Sequence, residues 1–339
     1  MKVKNEIDIV FTLLRGALGD NTGLESLSSR GHVDSLSTQE WWSLFRLMRR
    51  NHVAALTADT MATLDVPREV KIPWLAERDK AVRWYRYQLE VQQDILDHMS
   101  QHGIGPLVLK GTHTAGYYPH PELREFGDLD LYFRERHAEA DDVARKELGV
   151  EPDHGTHHHS KYDYRGVTVE SHYDLLNTHY PHSNKRYDQM LKQLAPSADF
   201  EVLYLLRHAG IHFAATGITL RDLCDWVLTC RALHDKVNWT LVQGTIEEYG
   251  MGHFAALLGD IASQQLGYTL PLQFAHDASI ADDVMRDTVY GSADEAGRLR
   301  QWRATRWKRR LVYGDSEASL LLYRIGSRLH KIFGAMHSK

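Results

Sequence analysis

LKGTHTAGYYPHPELREFGDLDLYF, residues 109–133, is the stretch whose reading decides the fold. Its first part continues an apolar run, Pro106 to Leu109, through Lys110 and Gly111 into Thr112 to Tyr118. That order predicts a strand, a tight turn and the start of a helix. Glycine lets a backbone come close to a ligand, and the first helical N–H groups after it point at whatever sits there; an anion fits best. The second part, Gly127 to Phe133, alternates polar and apolar residues. As a strand it sets Asp128 and Asp130 on one face and packs Leu129 and Leu131 behind them. Two strand rises put the Cα atoms of the two acids about 7 Å apart, near enough for their oxygens to converge.

Converging carboxylates repel unless a positive group lies between them, and two Mg²⁺ ions about 3.5–4 Å apart are the usual partner when a phosphoryl group is displaced. Such a pair calls for a third acid. Glu170 is the candidate, in Gly166 to Tyr173, a second alternating segment that pairs beside the first and presents Glu170 and His172 on one face. Lys161 to Tyr164 is expected to form a hairpin with Val167 to Tyr173 across an Arg165-Gly166 turn, which completes a mixed sheet.

Working outward, residues 4–18 carry Ile7, Val10, Leu13, Leu14 and Leu18 at helical spacing, and Thr38 to Met48 opens a second helix. A long helix from about Ala76 to His102, with Leu89, Ile95, Leu96 and Met99 on its apolar side, ends at Gly103-Ile-Gly105 and delivers the chain into the first strand. Beyond the D-x-D strand a short polar helix is expected over His137 to Leu148. From about Lys185 the pattern is helical: Phe200 to Leu206, Leu220 to Leu233, Trp239 to Tyr249 and His253 to Leu266, with Asn238 as a helix entry. Asp222 or Asp225 then faces either solvent or the cleft.

Lys110-Gly111, Arg124, Asp128-x-Asp130 and Glu170-x-His172 together resemble the bacterial uncharacterised nucleotidyltransferase family, within the DNA polymerase beta-like nucleotidyltransferase superfamily. The motif core covers roughly Pro106 to Tyr173, with weaker similarity over Arg49 to Leu56, Leu89 to His102 and Leu220 to Leu228. The superfamily signature is a Gly-Ser turn, a hydrophobic-Asp-x-Asp/Glu-hydrophobic strand and a third acid on a neighbouring strand. Lys-Gly stands here where Gly-Ser is common, which matches the family and departs from the superfamily. An isolated D-x-D carries little; the ordered set carries the resemblance.

The resemblance implies transfer of a nucleoside monophosphate from a nucleoside triphosphate, ATP among them, to an acceptor hydroxyl, with release of pyrophosphate by a two-metal mechanism. It implies Asp128, Asp130 and Glu170 as catalytic ligands of Mg²⁺ or Mn²⁺, and Lys110, Gly111, Thr112, Arg124 and His172 as the nucleotide-binding set. Arg124 either clamps phosphate or neutralises the carboxylates. The acceptor stays open among a sugar or polysaccharide precursor, a small alcohol or antibiotic-like molecule, a protein side chain and a tRNA end. The implied fold is α+β, with a small mixed sheet of nucleotidyltransferase type, preceded by helices and followed by a helical domain. The expected division is an N-terminal helical region over 1–103, the nucleotidyltransferase-like core over 104–184 and a helical C-terminal domain with a basic tail over 185–339.

Composition narrows the alternatives. With 339 residues, 43% hydrophobic and 25% charged, the chain has an ordinary globular mix. A net charge of -5 argues against a basic surface for duplex DNA, which makes the superfamily's polymerases poor analogues. Glu6 and Asp8 interrupt what a signal peptide needs as an apolar run, and no segment approaches 18 apolar residues, so a cytoplasmic protein without a transmembrane segment is expected. Cys224 and Cys230, six apart in a helical pattern, fall on different faces and form neither a disulfide nor a metal pair. The run His154 to His159 is expected as a surface loop rather than a zinc site, because consecutive histidines point alternately in a strand. The basic cluster Arg298 to Arg310 is expected as a solvated helix with Trp302 and Trp307 packed on the body, against the alternative of a polyanion- or membrane-binding surface. Two further functional readings remain. One is a non-catalytic module that keeps the fold and binds nucleotide or a partner protein. The other is a metal-dependent hydrolase, which needs the histidine run to converge with Asp163 or Asp174.

Overall fold

The computed structural model describes residues 3–20, 36–155, 158–178, 182–215, 217–291 and 306–313. Within it the alternating segments become the strands of one sheet: β1 (Leu107–Val108), β2 (Asp128–Tyr132), β3 (His159–Tyr164) and β4 (Val167–His172), in the order β1-β2-β4-β3. β2 and β4 run parallel, while β1 and β3 lie antiparallel to their neighbours, so the sheet is mixed. Arg165 and Gly166 close the β3–β4 hairpin with φ of 53° and 76°, the positive values that a two-residue type I′ link demands.

Alternation sorts the two faces of this sheet. Leu129, Leu131, Val167 and Val169 are buried in one apolar cluster with Val91, Ile95, Met99, Ala140 and Val143. Asp128, Asp130, Glu170 and His172 occupy the intervening positions and therefore project from the other face.

Among the described residues four helices precede the sheet: α1 (Val3–Ala17), α2 (Thr38–Arg50), α3 (Ala54–Ala62) and α4 (Arg68–Gln101). Ser37 and Glu40 start α2 with a reciprocal capping box. α4 begins eight residues before the expected Ala76 and runs through Pro73, which lacks the N–H that would bond to Glu69. Buried Trp74 secures this first part, its Nε1 donating to the Ala54 carbonyl at 2.9 Å. Leu89 is 37% exposed rather than on the apolar side, because the buried row is Gln88, Val91, Ile95 and Met99, and one residue's step turns a side chain about 100° around the helix.

The single turn α5 (Thr112–Ala115) follows β1, and α6 (His137–Val143) follows β2 and continues as a π turn, Ala144–Leu148. After the sheet come α7 (His182–Leu194), α8 (Ala198–Ala215), α9 (Leu220–Ala232), α10 (Trp239–Glu248), α11 (Gly252–Leu266), α12 (Ala281–Tyr290) and α13 (Arg306–Tyr313). Thr219 and Asp222 form a second capping box at α9, and Asn238 caps α10 by accepting the Leu241 N–H. Phe11, Trp41 and Trp74 from the N-terminal helices share one apolar cluster with Phe213, Trp226 and Phe254 from the C-terminal ones. The helices thus close over the polar face of the sheet as one packed layer, while α4 and α6 cover its apolar face.

α13 belongs to the expected basic segment. Its Trp307 meets Phe213 edge-on at 5.7 Å, but Lys308 is buried rather than solvated, paired with Asp287 and lying 4.9 Å from the Phe213 ring centroid. Trp302, with the rest of 298–305, and 314–339 lie outside the described residues. No described helix is long and apolar enough to cross a membrane. Cys224 and Cys230 are both buried and unpaired as a disulfide.

Candidate active site

In the parallel register Asp130 stands directly beside Glu170, and Tyr132 beside His172. Asp130, Glu170 and His172 consequently each offer one ligand atom within 4.8 Å of the others. His172 Nε2 lies 3.1 Å from Asp130 Oδ1 and 3.7 Å from Glu170 Oε2. Lys110 Nζ sits 3.2 Å from Asp130 Oδ2 and 3.3 Å from His208 Nε2. Asp128 lines the same cleft as Lys110, Gly111, Asp130, His208 and Arg221 but stands outside the three-residue cluster, since its neighbour on β4 is Thr168 and not an acid.

The two neighbouring carboxylates are tuned in opposite directions. Burial alone raises the pKa of Asp130, which is 2% exposed, but the Lys110 ammonium and His172 outweigh it and hold the carboxyl well below the usual range. Burial likewise disfavours the Lys110 ammonium, and the charge of Asp130 more than restores it, so its pKa is raised. Glu170 is pushed up by burial and then by the negative charges of Asp130 and Asp128. One acid is therefore held ionised and the other takes a proton more readily, the arrangement that lets paired carboxyls play different parts. His172 Nδ1 faces the Asp174 carbonyl at 3.2 Å, which can only accept. A neutral ring with its proton there leaves Nε2 bare toward Asp130 and Glu170, as a metal ligand requires; an imidazolium satisfies both acceptors without a metal.

The Lys110-Gly111 turn is built from several sides. Gly111 has φ 58° and ψ -118°, a conformation open to glycine alone, and a Cβ there would meet the Phe126 ring at 3.4 Å. Thr112 Oγ1 donates to Gln92, while Trp84 Nε1 and Gln88 Nε2 each donate at 3.2 Å, to the carbonyls of Phe126 and Gly127. α4 thereby pins both the turn and the entry to β2.

Arg124 is buried and makes two 2.7 Å bonds to the Asp225 carboxylate on α9, with Nη1 donating to the Gly111 carbonyl at 3.2 Å. Tyr118 donates its hydroxyl to the same carboxylate at 2.6 Å. Arg124 thus neutralises a carboxylate, but that of Asp225 rather than those of β2, and ties the turn to the helical layer.

Two groups bordering the cleft are not among the sequence-derived candidates. Arg221 has a buried Nε without a hydrogen-bond partner, and only long contacts from its other nitrogens, 3.3 Å to the Glu125 carbonyl and 3.4 Å to Asp222. It stands in the Leu220 to Leu228 stretch that carries part of the family resemblance. His208 packs on His212 with ring centroids 4.5 Å apart, and burial pushes its pKa well below the ordinary value, leaving it neutral beside Lys110. The signal was the H-x-x-x-H spacing of His208 and His212 within α8.

The histidine run departs from the expected surface loop. His159 is buried at the start of β3, opposite His172 in register, and its Nε2 lies 3.6 Å from Glu170 Oε1. The rings of His158, His159 and His172 bring a nitrogen each within 4.8 Å. Antiparallel pairing with β4 causes this, since it sets His159 on the face that bears His172. Burial pushes His158 down to about 3 and His159 to about 4, so both are neutral at physiological pH. Neither acid required for the hydrolase reading joins them: Asp163 accepts the Gly166 N–H at the hairpin turn, and Asp174 pairs with Lys192.

No curated protein and no solved structure matches the chain. The profile of the family described as uncharacterised nucleotidyltransferase matches residues 37–267, a span that contains α2 to α11, the whole sheet and every residue of the site above. The chain belongs to the uncharacterised nucleotidyltransferase family.

Proposed function

We propose that the protein transfers a nucleoside monophosphate from a nucleoside triphosphate to an acceptor hydroxyl, releasing pyrophosphate, with divalent cations held by Asp128, Asp130 and Glu170. The observation that carries this reading is the side-by-side register of Asp130 and Glu170, with His172 turned toward both. The donor set fits such an ion: carboxylate oxygens suit Mg²⁺ or Mn²⁺, and the His172 nitrogen favours Mn²⁺ of the two. Bound there, the cation offsets triphosphate charge and lowers the pKa of the attacking hydroxyl.

The chain's own groups supply the rest. Lys110, beside the Gly111 turn, meets the triphosphate as a point charge, and Arg221, which unlike Arg124 is not held by a bidentate carboxylate, adds a further cation at the cleft. Glu170, with its raised pKa, accepts the proton of the acceptor hydroxyl. Thr112 and Arg124 keep the turn in place through Gln92 and Asp225. An adjoining groove of about 350 Å³, lined by Trp84, Tyr85 and Phe126 with Glu77 and Lys80, offers aromatic faces to a nucleobase or an acceptor. In this scheme residues 104–184 form the catalytic core and the helices on either side of it in sequence build the wall of the cleft.

One observation favours the binding module as a second reading: Lys110 already balances the charge of Asp130 without any metal. Calorimetric titration of triphosphate with and without Mn²⁺, alongside an assay for released pyrophosphate, separates the two. Metal-dependent binding and pyrophosphate release, both lost in Asp130→Asn and Glu170→Gln, support transfer. Binding indifferent to metal and to both substitutions, with no pyrophosphate, favours the module.

A further inference from the structure

A second cluster lies on the opposite face of the sheet. Ser160 and Ser171 alternate with His159, Glu170 and His172, so their hydroxyls point away from the cleft. There they meet Asp141 of α6: Ser160 Oγ donates to its Oδ1 at 2.8 Å and Ser171 Oγ at 3.2 Å. The other oxygen, Oδ2, is buried without a hydrogen-bond partner. Two imidazoles aim at it, His137 Nε2 at 3.3 Å and His154 Nε2 at 3.6 Å, and the three ligand atoms lie within 4.8 Å of one another.

We propose that His137, Asp141 and His154 form a binding site for a divalent transition metal of the zinc type, separate from the cleft. Bonds of about 2.0–2.1 Å in tetrahedral geometry place neighbouring ligand atoms about 3.3 Å apart, and two of the three edges already approach that value. Two imidazoles and one carboxylate are a borderline-soft donor set that suits zinc better than Mg²⁺. The paired serine hydroxyls fix the carboxylate as outer partners of a metal ligand do. His154 has a 53% exposed side chain, which gives the metal a way in. Arg145 lies 3.5 Å from the same ring nitrogen, but its guanidinium is taken up by Asp142 and Glu151 at 2.8 and 3.0 Å.

The site has a structural consequence. His154 belongs to the segment that leaves α6 and leads into His158 and His159, and Asp153 in that segment bridges to Lys161 of β3. A metal held between α6 and His154 fastens Asp153 beside it and, through the bridge to Lys161, the strand whose His159 faces Glu170. The inference is independent of the nucleotidyl-transfer reading.

Tag-free, chelator-stripped full-length protein is titrated with Zn²⁺ against a chromophoric chelator, with Co²⁺ absorption as a check of tetrahedral geometry. One tight equivalent is expected in the wild type. His154→Ala and Asp141→Asn each weaken that equivalent by about 100-fold or more, whereas His158→Ala keeps it. Zinc raises the melting temperature of the wild type and leaves that of His154→Ala unchanged; His154→Ala melts like the wild type when both are metal-free, because the exposed ring carries little of the fold. Wild-type affinity in His154→Ala, loss of the equivalent in His158→Ala, or no tight zinc at all overturns the proposal and leaves His137 and Asp141 as a structural contact between α6 residues one turn apart.

Discussion

Replacing Arg124 by Met tests whether this residue holds the fold or the nucleotide. Met keeps much of the side-chain volume but leaves the Asp225 carboxylate with only the Tyr118 hydroxyl in place of two 2.7 Å charge-assisted bonds, and takes from the Gly111 carbonyl one of its two donors, the Ala115 N–H being the other. Side-chain exposure of 3% and 7% for the pair means that the orphaned charge has little water to turn to. Breaking a buried pair from one side costs about 3–5 kcal/mol. Unfolding entropy of about 2.1 cal/mol/K per residue, for a chain melting as one unit, converts that into a fall of about 4–7 °C in midpoint. The assay is differential scanning calorimetry of wild type, Arg124→Met, Asp225→Asn and the double variant. The double variant is expected to recover part of the loss, because no uncompensated charge remains. An Arg124→Met protein that melts within about 1 °C of wild type yet no longer binds triphosphate would refute the structural role of the Arg124–Asp225 pair and make Arg124 a phosphate ligand.

Lys110→Ala is expected to weaken triphosphate binding about tenfold or more, worth about 1.4 kcal/mol, with Lys110→Arg milder; unchanged affinity in the alanine variant places Lys110 outside the site. The same variant exposes Asp130 to a missing counter-charge, so Mn²⁺ should raise its melting temperature more than that of wild type. Gly111→Ala forces a side chain into φ 58°, ψ -118°, at a cost of about 1–3 kcal/mol, and a variant with normal stability and turnover would contradict the tight turn. Because Glu170 has a raised pKa, protons compete with the metal there: affinity should climb as pH rises through that raised value, and Glu170→Gln should flatten the climb. The depressed pKa of Asp130 has the opposite sign, giving stability that is present above the ordinary carboxylate range and lost as pH falls through it, an acid limb that should shrink in Asp130→Asn.

The site was legible where local periodicity controls it. Alternation in Asp128 to Tyr132 and Val167 to His172 settles which side chains share a face, and the Arg165-Gly166 turn fixes the hairpin register. What pairs across distance was not. Asp225 lies 101 residues from Arg124, and nothing near either residue marks the other as its partner. Likewise, the position of Lys110 beside the turn is legible in the sequence, but not the neighbour that α8 brings against it from 98 residues away, His208. The histidine run misleads for a related reason: alternation separates neighbours within a strand, whereas β4 supplies His172 from outside it, and α6 supplies Asp141 and His137 on the reverse face. Pro73 and Leu89 show the weaker side of periodicity, since a helix held by buried Trp74 tolerates a proline and a single-residue phase error turns a leucine outward.

The most direct test of nucleotidyl transfer follows the two ends of the nucleotide. Purified protein with Mg²⁺ or Mn²⁺ is incubated with a lysate as acceptor source and with each nucleoside triphosphate labelled at the α- or the γ-phosphate, and Asp130→Asn serves as control. The expected result is α-label joined to an acceptor and γ-label in pyrophosphate, both absent with Asp130→Asn. Retention of γ-label on an acceptor, dependent on Asp130, contradicts nucleotidyl transfer and makes the reaction that of a kinase.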